Sequence, residues 1–264
     1  LKSDQPPAAP VPPADAPRAP LISRRLAAGL AIAAVLAGGG GLWAAAQPRG
    51  YQTDVGEMRR VNLRDGSIVE LNTDTSIKIA YSGARRDIWL QSGEGNFIVA
   101  KDKLRPFVVH VGEATFTAVG TAFAIRADGK GPVTLTVTEG VVSLKPDTPA
   151  KPLFVAALQR ASIDAKAPPK VESVSHTEVS RELAWTDGRI ALTGETLGEA
   201  AAEFNRYNER KLVVASAAAA ARVGGVFRTS EVETFARTAA ASLGLEVQEQ
   251  PGGDIVLGAG DTLR

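Results

Sequence analysis

Residues 61–100 read VNLRDGSIVELNTDTSIKIAYSGARRDIWLQSGEGNFIVA, and their apolar side chains recur mostly at every second position. Val61 and Leu63 alternate with polar neighbours, as do Ile77, Ile79 and Tyr81. In an extended chain successive side chains point to opposite faces, so this period marks half-buried strands. The interruptions are Asp65-Gly66-Ser67, Ser82-Gly83 and Ser92-Gly93-Glu94-Gly95. Asp and Gly tolerate positive φ, so each reads as a turn between short strands.

The pattern continues through 107–111, 115–119, 122–126, 133–138 and 141–144, with 153–163 as a last strand. Short strands at spacings near ten, each bounded by turn residues, predict an all-β domain over 52–166, a sandwich or a solenoid-like stack. Gly120-Thr121 reads as a bend, and Phe107 as a core residue at a strand start. His110, in mid-strand, reads as a satisfied sheet residue.

Upstream the composition changes. Residues 26–46 contain no charged or polar side chain. As a helix they span about 31 Å at roughly 1.5 Å per residue, the thickness of a bilayer's hydrocarbon core. Arg24 and Arg25 precede the run and Trp43 lies near its far end. Basic residues stay on the cytoplasmic side and Trp favours the headgroup level, so all three are candidate membrane-anchor residues. The expectation is a single-pass protein of the inner (cytoplasmic) membrane, its C-terminal region in the periplasm. A secretory signal cleaved after Ala44-Ala45-Ala46 is an alternative, although its apolar stretch is usually about 7–15 residues. Ser23-Arg24-Arg25-Leu26 also resembles a twin-arginine export signal. Residues 1–25 hold seven prolines in their first twenty positions and predict an extended cytoplasmic stub.

Downstream, 167–180 reads as a polar linker opening on Pro168-Pro169. Residues 181–259 predict a small α/β domain. A strand follows the Asp187-Gly188 turn, and Thr196 with Glu199 forms a capping box for a helix. Leu197, Ala200, Ala201, Phe204 and Tyr207 share one face of that helix. Ser230 is the expected cap of a second helix that stops at Gly244. A hairpin across Gly252-Gly253 closes an order of βαβ followed by βαββ.

Composition narrows the function. With 30 basic and 29 acidic residues the net charge is +1, so no basic footprint for nucleic acid is expected. The absence of Cys excludes disulfides, thiolate metal sites and thiol nucleophiles. Only His110 and His176 are present, no Ser sits in a nucleophile elbow, and nothing in the sequence pairs Glu94 and Glu113 at a glycosidase-like geometry. The chain therefore reads as a binding protein, not an enzyme, without metal or cofactor. Trp185, Arg206, Tyr207 and Arg105 are the candidate partner-binding residues, because exposed Arg, Tyr and Trp anchor interfaces.

Specific stretches carry a family resemblance. They are Gly56-Glu57, Asp65-Gly66-Ser67, Leu71-Asn72, Arg86, Gly93-Glu94, Arg105-Pro106-Phe107-Val108-Val109 and Val119-Gly120-Thr121-Ala122-Phe123. Together they resemble the periplasmic domain of FecR-family anti-sigma regulators. Trp185, Asp187-Gly188-Arg189, Asn205-Arg206-Tyr207 and Gly225-Val226-Phe227 are similar to the companion short N-terminal domain of secretins and TonB-dependent transporters. The resemblance implies an inner-membrane signal relay. It would sense the signalling domain of a TonB-dependent outer-membrane transporter, commonly for iron uptake. It would control an extracytoplasmic-function sigma factor, released by site proteases. The family's sigma-binding helical segment is not visible before residue 26, so it is expected upstream of Leu1 or missing. The alternative is a non-signalling envelope scaffold or assembly protein.

Overall fold

The computed structural model describes residues 48–129, 131–146, 151–164 and 167–258. The expected membrane segment 26–46, with Arg24, Arg25 and Trp43, and the Pro-rich stretch before it lie outside them. Among the described residues no helix is long and apolar enough to cross a membrane.

Thirteen strands come first: β1 (Arg49–Gln52), β2 (Arg59–Asn62), β3 (Ile68–Leu71), β4 (Ser76–Tyr81), β5 (Arg86–Ile98), β6 (Phe107–Val111), β7 (Ala114–Ala118), β8 (Ala122–Ala127), β9 (Val133–Glu139), β10 (Val141–Lys145), β11 (Leu153–Ala156), β12 (Gln159–Asp164) and β13 (Ala167–Ser173). They make one hydrogen-bonded network that folds about β5. The first half of β5 pairs with β4 and, in parallel, with β6, and the sheet continues through β7, β10 and β11. Its second half pairs with β3 and β8, leading on to β9, β12 and β13. One strand shared by two sheets makes a corner of the kind that bulges and glycines allow.

The corner corrects the reading of 92–95 as a turn, because β5 runs straight through it. At Gly93 φ is +92°, and an added Cβ would lie 2.3 Å from Thr75 Oγ1. The register against β4 slips between Ser76 and Ile77 at the same place. Gly and polar residues there mark a bend between sheets, not a chain reversal. Both sheets send alternate side chains into one core. Phe97 lies between Phe107 and Phe123, at centroid distances of 6.1 and 5.2 Å. Each such ring contributes roughly 1.5–3 kcal/mol by leaving water.

An ion pair sits inside this apolar packing. Arg86, fully buried, donates from Nη1 to Asp65 Oδ2 at 2.6 Å and to the Ala100 carbonyl at 3.0 Å. Its Nε donates to the Arg105 carbonyl at 2.8 Å. Asp65 also accepts from the hydroxyls of Ser67 (2.6 Å) and Tyr81 (2.9 Å). The Asp65-Gly66-Ser67 turn is thus the acidic half of a clamp joining three loops. Burial works to raise the Asp65 carboxyl, but the hydrogen bonds from Ser67, Arg86 and Tyr81 outweigh it and hold it below the ordinary aspartate value.

Two further expectations change. The last strand is two strands in different sheets: β11 pairs with β10, β12 pairs with β9 and β13, and Leu158 at φ +61° lies in the short connection between them. The stretch 167–180 is not a linker: it holds β13, paired to β12, and the start of helix α1 (His176–Glu182). Ser175 and Glu178 cap α1 reciprocally, and Val179 is buried. Prolines 168 and 169 are tolerated because β13 is an edge strand.

After α1 come a 3₁₀ turn (Ala184–Asp187), β14 (Arg189–Thr196), α2 (Leu197–Tyr207), β15 (Leu212–Val214), β16 (Arg222–Arg228), α3 (Val232–Leu243), β17 (Glu246–Glu249) and β18 (Ile255–Gly258). The Thr196–Glu199 capping box forms, and Gly244 ends α3 at φ +67°. Ser230 does not cap α3; the N-cap is Glu231, without a side-chain bond. The strands divide between two small sheets, β14–β16 and β15–β18–β17, which share a second core with α2 and α3. Phe204 and Phe235 stack at its centre, 4.4 Å apart.

Asp65→Ala leaves the Arg86 charge buried and unpaired, so urea unfolding at pH 7 is expected to show a loss of roughly 3–5 kcal/mol. Because the folded Asp65 pKa is lowered, its contribution is present above about pH 4 and fades as the pH falls below that value. The gap between wild type and Asp65→Ala should therefore narrow in acid; a gap independent of pH would contradict the clamp.

Candidate functional site

The C-terminal end of α2 runs into the β-rich module, and the residues that meet there are polar. Arg206 donates from Nη2 to Glu94 Oε2 at 2.6 Å, with side-chain exposures of only 5% and 8%. Its Nη1 donates to Glu203 at 2.7 Å. Asn72 Nδ2 donates to Glu94 Oε2 at 3.0 Å and to the Tyr207 hydroxyl oxygen at 2.9 Å. Thr73 donates its hydroxyl to the Arg206 carbonyl at 3.1 Å and accepts from the Gly56 N–H at 2.8 Å. Gly56 has φ +83°, and a Cβ there would stand 2.8 Å from the Tyr207 carbonyl oxygen. The two modules therefore approach backbone to backbone.

The local sequence explains the placement. A helix presents residues three apart on one side, so Glu203 and Arg206 pair along α2 and face the β-rich module together. Glu94 stands between Gly93 and Gly95 on β5, and Asn72 follows β3. Burial works to lower the Arg206 guanidinium, but the charges of Glu94 and Glu203 outweigh it and raise its pKa. Burial, and then the Glu203 charge, push the Tyr207 phenol up as well. Both side chains thus keep their ordinary protonation state across the physiological range.

Beside the junction opens a cleft of about 570 Å³. One wall is the outer face of β8, β9 and β12, with Arg126, Thr136 and Arg160; the other carries Glu182, Trp185, Leu192 and Glu203. Besides the Arg206–Glu94 pair, contacts across it join Arg160 to Glu182, Thr136 to Glu182 at 2.9 Å, Arg126 to Glu203 at 3.1 Å and Arg206 to Asp128 at 3.6 Å. Among the described residues no group of His, Cys, Asp and Glu could hold a metal ion. His110 meets Asp87 at 2.9 Å and stacks on Trp89, so it is a partnered sheet residue as expected. The cleft's cations and anions largely satisfy one another, an arrangement suited to holding two bodies in register.

The four candidate partner-binding residues separate here. Arg206 and Tyr207 come together, but buried against the chain itself and not exposed as expected. Trp185 is 3% exposed in the second core, and its indole N–H has no partner among the described residues. Arg105 stands apart on the loop after β5, paired with Asp102 at 2.9 Å. Sequence reasoning did not assign Glu94, Asn72, Thr73 or Glu203 to the site, although Asn72 and Glu94 stand in the stretches that carry the resemblance. The one local signal was Glu94, a carboxylate between two glycines inside a strand pattern.

Residues 49–143 match the family described as FecR protein. Two solved structures of a candidate anti-sigma factor from Parabacteroides distasonis ATCC 8503 are similar to the chain, each with a TM-score of 0.66 and 18% identity. The similarity covers 81% and 80% of this chain and 99% of each of theirs, and it shows a shared fold. No curated protein matches the chain.

Arg206→Ala leaves the buried Glu94 carboxylate without its cation and should cost roughly 3–5 kcal/mol in chemical denaturation. Tyr207→Phe removes a single hydrogen bond and should cost about 0.5–1.5 kcal/mol. Equal, near-zero costs for both would mean that the junction is open in solution.

Proposed function

Because residues 49–143 match the FecR protein family, we propose that the chain is an inner-membrane signal relay acting as an anti-sigma regulator. In this reading residues 26–46 cross the bilayer once and both described modules lie in the periplasm. The α/β module receives the signalling domain of a TonB-dependent outer-membrane transporter. The outcome is control of an extracytoplasmic-function sigma factor on the cytoplasmic side, with site proteases making the release, for uptake of iron. The family is a regulatory, non-enzymatic class, and the relay needs no cofactor.

The observation that carries the reading is the family match over the module to which α2 is locked. The candidate anti-sigma factor that shares this fold supports it at the level of architecture. For reception, β16 offers a free edge. Among the described residues it pairs only with β14, and Val226 on it is 63% exposed. An extended partner segment can add to such an edge through main-chain hydrogen bonds, while pockets beside it select side chains. The buried junction would then pass the load to the β-rich module as a rigid body.

The test is calorimetry of the detergent-solubilised chain against a transporter signalling domain. A complex is expected, weakened about tenfold or more by Val226→Asp at the edge. No heat at high micromolar concentration, with the chain folded, contradicts the relay.

A further inference from the structure

The loop between β5 and β6 holds a leucine in water on a rigid frame. Leu104 is 89% exposed, the most exposed large apolar side chain among the described residues. It is not at the tip of a slack loop. The Asp102 carboxylate accepts from the N–H groups of Leu104 (3.0 Å) and Arg105 (3.1 Å) and from Arg105 Nε (2.9 Å). The Asp102 N–H donates to the Val119 carbonyl at 3.2 Å. Buried Arg86 grips the loop's far side, through its Nε to the Arg105 carbonyl (2.8 Å) and its N–H to the Pro106 carbonyl (2.9 Å). Gly120 leaves room for the Lys101 stem, whose Cγ would lie 2.4 Å from an added Cβ. Held outward by this frame, the side chain leaves water only if something apolar receives it.

The surroundings indicate what receives it. Lys101 and Lys103 flank Leu104 in the chain and are exposed, and Arg105 is half-exposed; the anions at this end, Asp102, Asp65 and Asp87, are taken up by Arg105, by Arg86, and by Arg85 with His110. Val119, 38% exposed, belongs to the same end of the sheet, since Phe107 pairs with both Arg86 and Ala118. The described chain also begins at this end. Arg49 stands opposite Ile79 and Gln52 opposite Ser76, so the start of β1 lies at the end of β4 that holds Tyr81, which pairs with Arg86. Only Gln47 separates Pro48 from the apolar stretch 26–46.

The geometry points to residues 101–106 as a membrane-seating loop: Leu104 enters the headgroup layer of an anionic bilayer and the surrounding cations face its lipids. The occupant is the bilayer because a cationic rim around one apolar side chain matches a negatively charged, apolar-centred surface. This inference rests on reading 26–46 as a membrane anchor. It adds a second contact, which would fix how the β-rich module stands on the membrane instead of letting it swing on one strand.

The natural chain has no Cys, so Leu104→Cys and, as control, Val226→Cys each take a single polarity-sensitive dye. The full chain is reconstituted into phosphatidylcholine vesicles with and without phosphatidylglycerol. The label at 104 is expected to shift to the blue with phosphatidylglycerol and to be quenched by brominated acyl chains; the label at 226 should do neither. Neutralising Lys101 and Lys103 as Lys101→Gln and Lys103→Gln should lower the ratio of seated to free loop by about fivefold per cation. Flotation separates the failures. A chain that floats with the vesicles while its label at 104 stays in water overturns the loop's role and leaves the anchor standing. A chain that does not float overturns both. A blue shift indifferent to phosphatidylglycerol and to the lysines overturns the anionic surface as the occupant.

Discussion

Glu94 and Arg206 lose almost all contact with water in order to meet, and the rest of the architecture depends on that meeting. Burying either charge alone costs several kcal/mol, so neither position is tolerable unless the other module is in place. Their pairing is completed by Asn72, which bonds both Glu94 and the Tyr207 hydroxyl, and by the Thr73 bond to the Arg206 carbonyl. A hydrophobic interface of the same size would tolerate sliding. Directional bonds between buried charges allow one register, which a relay needs if displacement of one module is to reach the other.

The strand β5 carries both of the buried ion pairs that organise the β-rich module. At its start Arg86 clamps Asp65 and the 101–106 loop; eight residues on, Glu94 holds α2. At roughly 3.3 Å per residue these points are about 26 Å apart along one continuous element. The corner at Gly93 lets that element belong to two sheets, so the loop end and the junction end rest on the same core. Rigidity between the ends follows from packing; whether a partner's arrival changes the far end is a matter of the coupling free energy between two sites.

Much of the fold was legible because periodicity is a local property. The alternation in 61–100 marked the strands, and Thr196 with Glu199 marked the start of α2 from four adjacent residues. The failures were non-local or were misread punctuation. Ser92 to Gly95 carries every sign of a turn, yet Gly93 serves a close approach to Thr75, a residue distant in sequence. Ser175 and Glu178 spelled a capping box that the prolines at 168 and 169 obscured. At the site, Arg206 and Tyr207 were expected as exposed anchors for a separate partner, and they lie buried against another part of the same chain. Nothing local to α2 could have named Glu94 and Asn72, more than a hundred residues away.

The central claim is that the two modules open and close as one body because of the Glu94–Arg206 junction. Native-state hydrogen exchange on the wild-type chain tests it most directly, by comparing the slowest amides of α2 with those of β5. The account predicts one shared opening free energy for Phe204 and Phe97, at the level of global unfolding. Amides of α2 that exchange through a separate, markedly cheaper opening, while β5 stays protected, would contradict it.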